Sequence, residues 1–315
     1  MRSVFFLAAW AVLMALHQTD AFTQSAGSAK KALEAIVKRD FKHAVALVRA
    51  IDDPNYRDRS GATLLMCAAE MGAKEVCQAL IDKGADPNLR SANGTTALYI
   101  AAQNGNTDVV RLLLDTGATT DLRPDNGATP LIVASEYGHD EIVSLLAEKG
   151  AGTDLKDNHG STALITAAQN GYGAIAKTLL DRGADPDIRN TGGCTALILA
   201  AQEGHEAIVR YLLDHNADVN IQSASGNTAL VLASLRGDKE IVQMLIDKGA
   251  QVDHKTKTGA TALFAAASLG HCQIATVLLE NGADPLVKDA QGRTACSYAK
   301  DYAVKSLLTS WNKKQ

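Results

Sequence analysis

The sequence predicts an all-α fold: a solenoid of stacked helix-turn-helix units with projecting β-hairpin loops. Three observations carry that reading. A Gly-x-Thr triplet recurs at 61–63, 94–96, 127–129, 160–162, 193–195, 226–228, 259–261 and 292–294, every interval being 33 residues. Sequence periods of this size mark stacked architectures in which no unit buries its apolar face alone. Hydrophobic residues make up 46% of the 315, yet aromatics only 4%, so small aliphatic side chains must fill the core. Of the 25 glycines, 21 fall in three fixed columns: eight openers, seven mid-unit and six at the unit's second helix end.

The chain opens with Arg2 and an unbroken apolar run from Val4 to Leu16. A basic start, a short apolar run and small residues near a cleavage point make residues 1–21 a secretory signal peptide. Thirteen apolar residues fall short of the ~20 that span a bilayer. Thr19 and Ala21 only approximate the small-residue cleavage pattern, and Ser25-Ala26-Gly27 offers a second site. An uncleaved anchor and a misassigned start are the alternatives. Ala21-Phe22 also resembles the entry signal of proteins sent to complex plastids by the secretory route. The expected localisation is export, secreted or periplasmic, with cytoplasm or plastid as alternatives. Residues 22–27 read as a short polar linker.

Residues 28–60 share the frame, since Asp53-Pro54-Asn55 falls one period before Asp86-Pro87-Asn88, but lack Gly-x-Thr. Glu34, Lys38, Arg39, Asp40 and Lys42 make this unit polar, as a terminal capping repeat is. Seven complete units follow over 61–291, and 292–315 is a truncated C-terminal cap.

Within a unit, Thr caps the free amides of a short first helix. Pairs such as Ala101-Ala102 let neighbouring helices approach closely. The mid-unit Gly takes a left-handed turn. A second helix, such as Asn106 to Thr116, has apolar residues at i, i+3, i+4 and i+7. It stops at a Gly in the C′ position, replaced once by Asn216, the residue type that best tolerates that conformation after Gly. The segment that follows alternates polar residues around Leu89, Leu122, Leu155, Ile188, Ile221 and Val287, which suits a short β-hairpin.

The pattern resembles the ankyrin repeat over residues ~28–315. The family's T-P-L-H-x-A-A core appears mainly as T-A-L-(apolar)-x-A-A. Only Thr129-Pro130-Leu131 keeps the Pro, and the His is replaced by Met66, Tyr99, Ile132, Ile165, Ile198, Val231, Phe264 and Ser297. That replacement implies that apolar contact takes over from the usual inter-repeat hydrogen bond. The resemblance also implies a protein partner, contacted by hairpin tips and the concave face of the first helix. Carried to this chain, those positions include Arg59, Lys257, Glu70, Met71, Gln103, Asn104, Glu136, Tyr137, Gln202, Glu203, Leu235, Arg236 and Leu269. Met71, Tyr137, Leu235 and Leu269 are the better anchors, being large and apolar where polar residues also occur.

Charge gives a second candidate surface. The net charge is −4, yet the position four residues before each opening Gly reads Arg57, Arg90, Arg123, Lys156, Arg189, Gln222, Lys255 and Lys288. Aligned, these would form a basic ladder able to steer an acidic partner; solubility alone is the competing explanation. An acidic column at the second helix end reads Asp82, Asp115, Glu148, Asp181, Asp214, Asp247 and Glu280.

No catalytic constellation appears, and the chain reads as a non-enzyme without cofactor or metal. His139, His205 and His271 share one column but are spaced two periods apart, too far to share an ion. No phosphate-binding glycine loop or zinc-hydrolase helix occurs. The five cysteines form no disulfide framework; Cys67 and Cys77 share a unit and read either as buried thiols or as a pair. Asn93-Gly94-Thr95 spells a glycosylation sequon, relevant only if the chain enters an endoplasmic reticulum. The excess of acid over base argues against nucleic acid. The mature chain is expected to be a monomer without a membrane span. Its function is expected to be that of a protein-binding scaffold, with a structural or protective exported factor as the alternative.

Overall fold

The computed structural model describes residues 24–311, so the leader reading of residues 1–21 lies outside the described residues. The chain divides into two compact units, one ending at Gly152 and the other starting at Thr153. The first holds α1 (Gln24–Val37), α2 (Phe41–Ala50), α3 (Leu64–Glu70), α4 (Lys74–Asp82), α5 (Ala97–Gln103), α6 (Thr107–Asp115), α7 (Pro130–Tyr137) and α8 (Asp140–Glu148). The second holds α9 (Ala163–Asn170), α10 (Gly173–Asp181), α11 (Ala196–Glu203), α12 (Glu206–Asp214), α13 (Ala229–Arg236), α14 (Lys239–Asp247), α15 (Ala262–Leu269), α16 (Cys272–Glu280), α17 (Ala295–Tyr298) and α18 (Tyr302–Trp311). α1 begins inside the segment expected to be a linker.

Each unit has two helical layers. In the first, α1, α3, α5 and α7 pack in sequence, as do α2, α4, α6 and α8. In the second, α9, α11, α13, α15 and α17 form one layer and α10, α12, α14, α16 and α18 the other. The alanine pairs make this spacing possible: Ala68, Ala69, Ala101 and Ala102 in one unit, and Ala167, Ala168, Ala200 and Ala201 in the other, are fully buried. The helices close over long aliphatic side chains such as Leu113 and Leu146, each stabilising the fold by roughly 1.5–3 kcal/mol through burial. The replacements for the family's His are buried as expected from Met66 to Phe264, while Ser297 is exposed.

The caps follow the expected chemistry with two exceptions. Thr63, Thr96, Thr129, Thr162, Thr195 and Thr228 each accept from the amide three residues on. Thr261 and Thr294 make no such bond, and Thr261 Oγ1 is buried without a partner. All 21 column glycines have positive φ, and Asn216 joins them at 59°.

The loops differ from the expected β-hairpins. Among the described residues there is no strand, only an isolated bridge between Arg57 and Thr63. Each loop keeps the hairpin's turn and loses its ladder. In the first, Gly61 N donates to Asp58 O at 3.0 Å and Asp58 N to Ala62 O at 3.0 Å, with Gly61 left-handed at 74°. This is a three-residue hairpin loop closed by a glycine bulge. Its hydrogen bonds then run between repeats instead of along a strand pair. Ala92 N reaches Ser60 O at 2.8 Å, and Asp125 N reaches Asn93 O at 2.9 Å. A Cβ on Gly61 would sit 2.9 Å from Ala92 N, so the opening Gly serves both backbone sign and stacking distance.

The C-terminal turn is tied most firmly. Asp289, almost fully buried, accepts from the amides of Gln291 and Arg293 at 2.9 and 2.8 Å and from Tyr298 Oη at 2.5 Å. Burial alone would raise its pKa. The Tyr298 hydroxyl, the two amides and the Arg293 charge outweigh that and hold it at about 2. The Arg293 guanidinium lies 4.5 Å from the centroid of the Tyr298 ring.

Candidate functional site

The basic column lies where each extended segment enters its turn, and its heads bridge successive repeats. In the first unit Arg57 Nη1 donates to Arg90 O at 3.0 Å, and Arg90 Nη2 to Arg123 O at 2.6 Å. In the second unit Lys156 Nζ donates to Arg189 O at 3.3 Å, and Arg189 Nη2 to Gln222 O at 2.7 Å. Lys255 Nζ lies 3.5 Å from Lys288 O. Arg90 and Arg189 also turn Nε back onto Gly94 O and Gly193 O. Arg57, Arg90, Arg123, Lys156, Arg189, Lys255 and Lys288 are all exposed. A guanidinium carries five N–H donors, more than these carbonyl bonds use. The column is thus a set of backbone staples with a charged outer edge.

A second column, which sequence reasoning passed over, sits two residues earlier. Asn55, Asn88, Asp121, Asp154, Asp187, Asn220 and Asp253 each accept, through Oδ1, an amide of the next repeat. The three asparagines add a donor bond, from Nδ2 to Gly84 O, Gly117 O and Gly249 O. The eighth position is Leu286, 59% exposed. The strict Asn/Asp recurrence at 33 was visible in the sequence. Burial pushes the Asp187 and Asp253 carboxyls up, with neighbouring carboxylates adding to it: Asp185 and Asp218 at the first, Asp284 at the second.

The histidine column is a third set of staples. His139 Nε2 meets Gln103 O at 3.1 Å, His205 Nε2 meets Gln169 O at 3.3 Å, and His271 Nε2 meets Leu235 O at 3.2 Å. Asn106 does the same to Ala69 O at 2.7 Å. These bonds are polar contacts between successive repeats, made beside the apolar side chains that stand at the family's His position. Among the described residues no group of His, Cys, Asp or Glu is placed to hold a metal.

The acidic column forms exposed pairs one repeat apart: Lys149 with Asp115 at 2.9 Å and Lys248 with Asp214 at 3.7 Å. Exposed pairs of this kind contribute little to stability. All five cysteines are free. Burial, with Glu70 and Asp58 nearby, pushes the Cys67 thiol up to about 12, and burial puts Cys77 at about 12 as well. Neither supplies a thiolate at neutral pH.

What remain as apolar surface in each unit are large side chains at the C-terminal ends of the first helices. Met71 is half-buried and Tyr137 is 40% exposed, its ring stacked beside His139. In the second unit Leu235 is 44% and Leu269 56% exposed, on the adjacent helices α13 and α15. Their columns elsewhere hold Gln103, Gln169 and Gln202, and Asn104 and Asn170. Of the other expected contact positions, Arg59, Asn104, Glu136, Gln202, Arg236 and Lys257 are exposed, whereas Glu70, Gln103 and Glu203 are half-buried. Arg236 is held by Asp238 at 2.7 Å. No helix among the described residues is long and apolar enough to cross a membrane.

A family model described as ankyrin repeats in three copies matches in overlapping windows, 33–124, 65–157, 117–190, 150–223, 175–256 and 216–289. Among solved structures, the ankyrin repeat domain of Bcl-3, a unique member of the IkappaB protein family, is similar at 30% identity and a TM-score of 0.62. The match covers 69% of this chain and 99% of that one. No curated protein matches. Windows that together run from 33 to 289, on helices and turns placed as above, make the chain a member of the ankyrin-repeat family.

Proposed function

We propose that this protein is a non-catalytic scaffold that binds a protein partner, with the partner seated on the helix-end row and the basic turn edge supplying attraction at longer range. The observation that carries it is the exposure of Leu235 and Leu269 on neighbouring helices, where the Leu235 column is otherwise polar and the Leu269 column mixes Asn104, Asn170, Glu203 and Arg236 with Met71 and Tyr137. Large apolar side chains left in solvent on a repeat surface lose free energy unless a partner covers them. The staples described above narrow the role of the basic column. Arg57, Arg90, Lys156, Arg189 and Lys255 direct part of their donors to backbone carbonyls, so their contribution to binding is steering of an acidic surface. Export of the chain is part of this proposal and sets the compartment in which the partner is sought.

The test uses substitutions that the chain itself already contains at the equivalent positions. The full chain carrying Leu235→Gln with Leu269→Asn is expected to fold like the parent and to lose co-purification of its partner from the source cells. Retention of the same partner at the same stoichiometry would sink the helix-end reading. Raising salt is expected to slow association; an unchanged rate removes the steering role.

A further inference from the structure

The sequon Asn93-Gly94-Thr95 lies in a stacked turn, and its geometry separates the two halves of the Asn93 amide. Oδ1 is held inward by three groups: Ser91 Oγ at 2.5 Å, Thr95 Oγ1 at 2.8 Å and Thr95 N at 3.3 Å. The Asn93 carbonyl is used by the stack, accepting from Asp125 N at 2.9 Å. Nδ2 makes no hydrogen bond among the described residues, and the residue is exposed. Several other asparagines of this protein differ on this point. Asn55, Asn88 and Asn220 spend Nδ2 on glycine carbonyls, Asn106 on Ala69 O and Asn126 on the Tyr99 hydroxyl. Asn93 alone is followed two residues on by a Ser or Thr.

We infer that Asn93 is an N-glycosylation site, taking an oligosaccharide from a polyprenyl-diphosphate donor. Nδ2 forms the bond to the anomeric carbon of the first sugar as that carbon's bond to the diphosphate oxygen breaks. The polyprenyl diphosphate leaves and the amide gives up one proton, so no oxidant or reductant is needed. The inference rests on export of the chain and goes beyond the partner-binding reading. Its consequence is steric: a glycan at this tip stands beside Arg90 and shields the turn edge of the first unit. The partner surface is then left to the helix-end row and to the turns of the second unit.

The experiment is translation of the full chain, residues 1–315, in the presence of endoplasmic-reticulum microsomes. The expected result is a single upward step in mass on the protease-protected chain. It is reversed by an amidase that removes N-glycans, absent in Asn93→Gln and in Thr95→Ala, and kept in Thr95→Ser. A protected chain without the step overturns the assignment of Asn93. A chain left wholly outside the microsomes overturns it through its premise, and leaves the helix-end reading untouched. A step that persists in Asn93→Gln places the modification elsewhere and overturns it too. Enzymatic deglycosylation of the parent chain gives the same readout without a substitution, so a folding defect in a variant cannot imitate the result.

Discussion

The guanidinium of Arg90 donates from Nη2 to the carbonyl oxygen of Arg123, one 33-residue period along the chain, at 2.6 Å. A charged donor meeting a neutral backbone acceptor is a staple between repeats, and its strength does not depend on a counter-charge. Arg90→Ala is therefore expected to lower unfolding free energy by about 1–2 kcal/mol, the range for a hydrogen bond to a charged group in a partly exposed setting. The loss should persist in high salt, because screening acts on ion pairs between exposed charges. Denaturant melts of parent and variant at two salt concentrations check both statements. Equal stability of the two proteins would return Arg90 to the role of a surface charge.

The Asn/Asp column predicts a stabilising substitution. Asp187 with one carboxylate oxygen, and Asp253 with both, do what Asn55, Asn88 and Asn220 do with an amide oxygen, and they lack the second, donor bond. Asp187→Asn keeps the acceptor and adds a donor aimed at the carbonyl of Asn216, for a gain of up to about 1 kcal/mol. The pH dependence follows from the direction of the shift. A carboxyl whose folded pKa is raised above its unfolded value binds protons more readily in the folded state, so the stability it contributes is lost as pH rises through the folded pKa. Acidifying from neutrality should thus narrow the gap between parent and variant. Asp289 has the opposite sign. Held at about 2, its contribution is present above the usual carboxylate range and is lost as pH falls through 2. Urea midpoints from neutral to strongly acid pH read out both.

Two serines share one column with opposite accounts. Ser135 Oγ donates to Leu131 O at 2.9 Å, while Ser234 Oγ is buried with no partner, and the column otherwise holds Ala69, Ala102, Ala168, Ala201 and Ala267. Ser234→Ala removes an unsatisfied buried hydroxyl and is expected to stabilise by about 1–3 kcal/mol. Ser135→Ala is expected to be neutral or mildly destabilising. Thermal unfolding of the two variants side by side decides the matter; a loss at Ser234 comparable with that at Ser135 refutes it.

Much of this architecture was legible in the residues. The second helix expected from Asn106 to Thr116 is α6, Thr107–Asp115, with those two residues as its caps. The glycine columns and Asn216 showed their left-handed backbone because only a few side chains tolerate it. The β-hairpins were not legible, since polar residues alternating around Leu89 are compatible with an extended segment whether or not a strand pairs with it. The staple role of Arg90 and His139 was hidden for a different reason. A side chain that donates to a backbone carbonyl has an acceptor present in every residue type, so the acceptor position carries no sequence signal. The Asn/Asp column did leave one, but reading it requires knowing which amide lies opposite.

Not every glycine column is equally closed to substitution. A Cβ on Gly105 would lie 2.6 Å from His139 Cε1, in addition to sitting at φ 74°. At Gly117 the same atom meets open space, and the equivalent residue Asn216 already holds a left-handed conformation. Gly117→Asn is expected to cost only a few tenths of a kcal/mol, and Gly105→Asn more than about 1 kcal/mol, because backbone strain adds to displacement of the histidine staple. Chemical denaturation of the two variants separates the steric from the conformational requirement.

The binding reading yields the last prediction. Energetic anchors at protein interfaces are large side chains near the centre of the contact, and truncating one costs about 2 kcal/mol or more of binding free energy. Leu269, the more exposed of the pair on α13 and α15, is expected to behave this way, and Leu235 beside it to couple with it. Because neither is part of the buried core, Leu269→Asn should leave the melting temperature unchanged while weakening partner affinity by ten-fold or more, 1.4 kcal/mol per decade. Arg189→Gln should do the reverse in part. It removes a staple to Gln222 O, so it costs stability, and it lowers the association rate only at low salt. Surface-bound kinetics with the captured partner distinguish the two effects. Were the partner to dissociate equally slowly from Leu269→Asn and parent, the helix ends would not be its seat, and the turn edge of the second unit would have to carry the contact by itself.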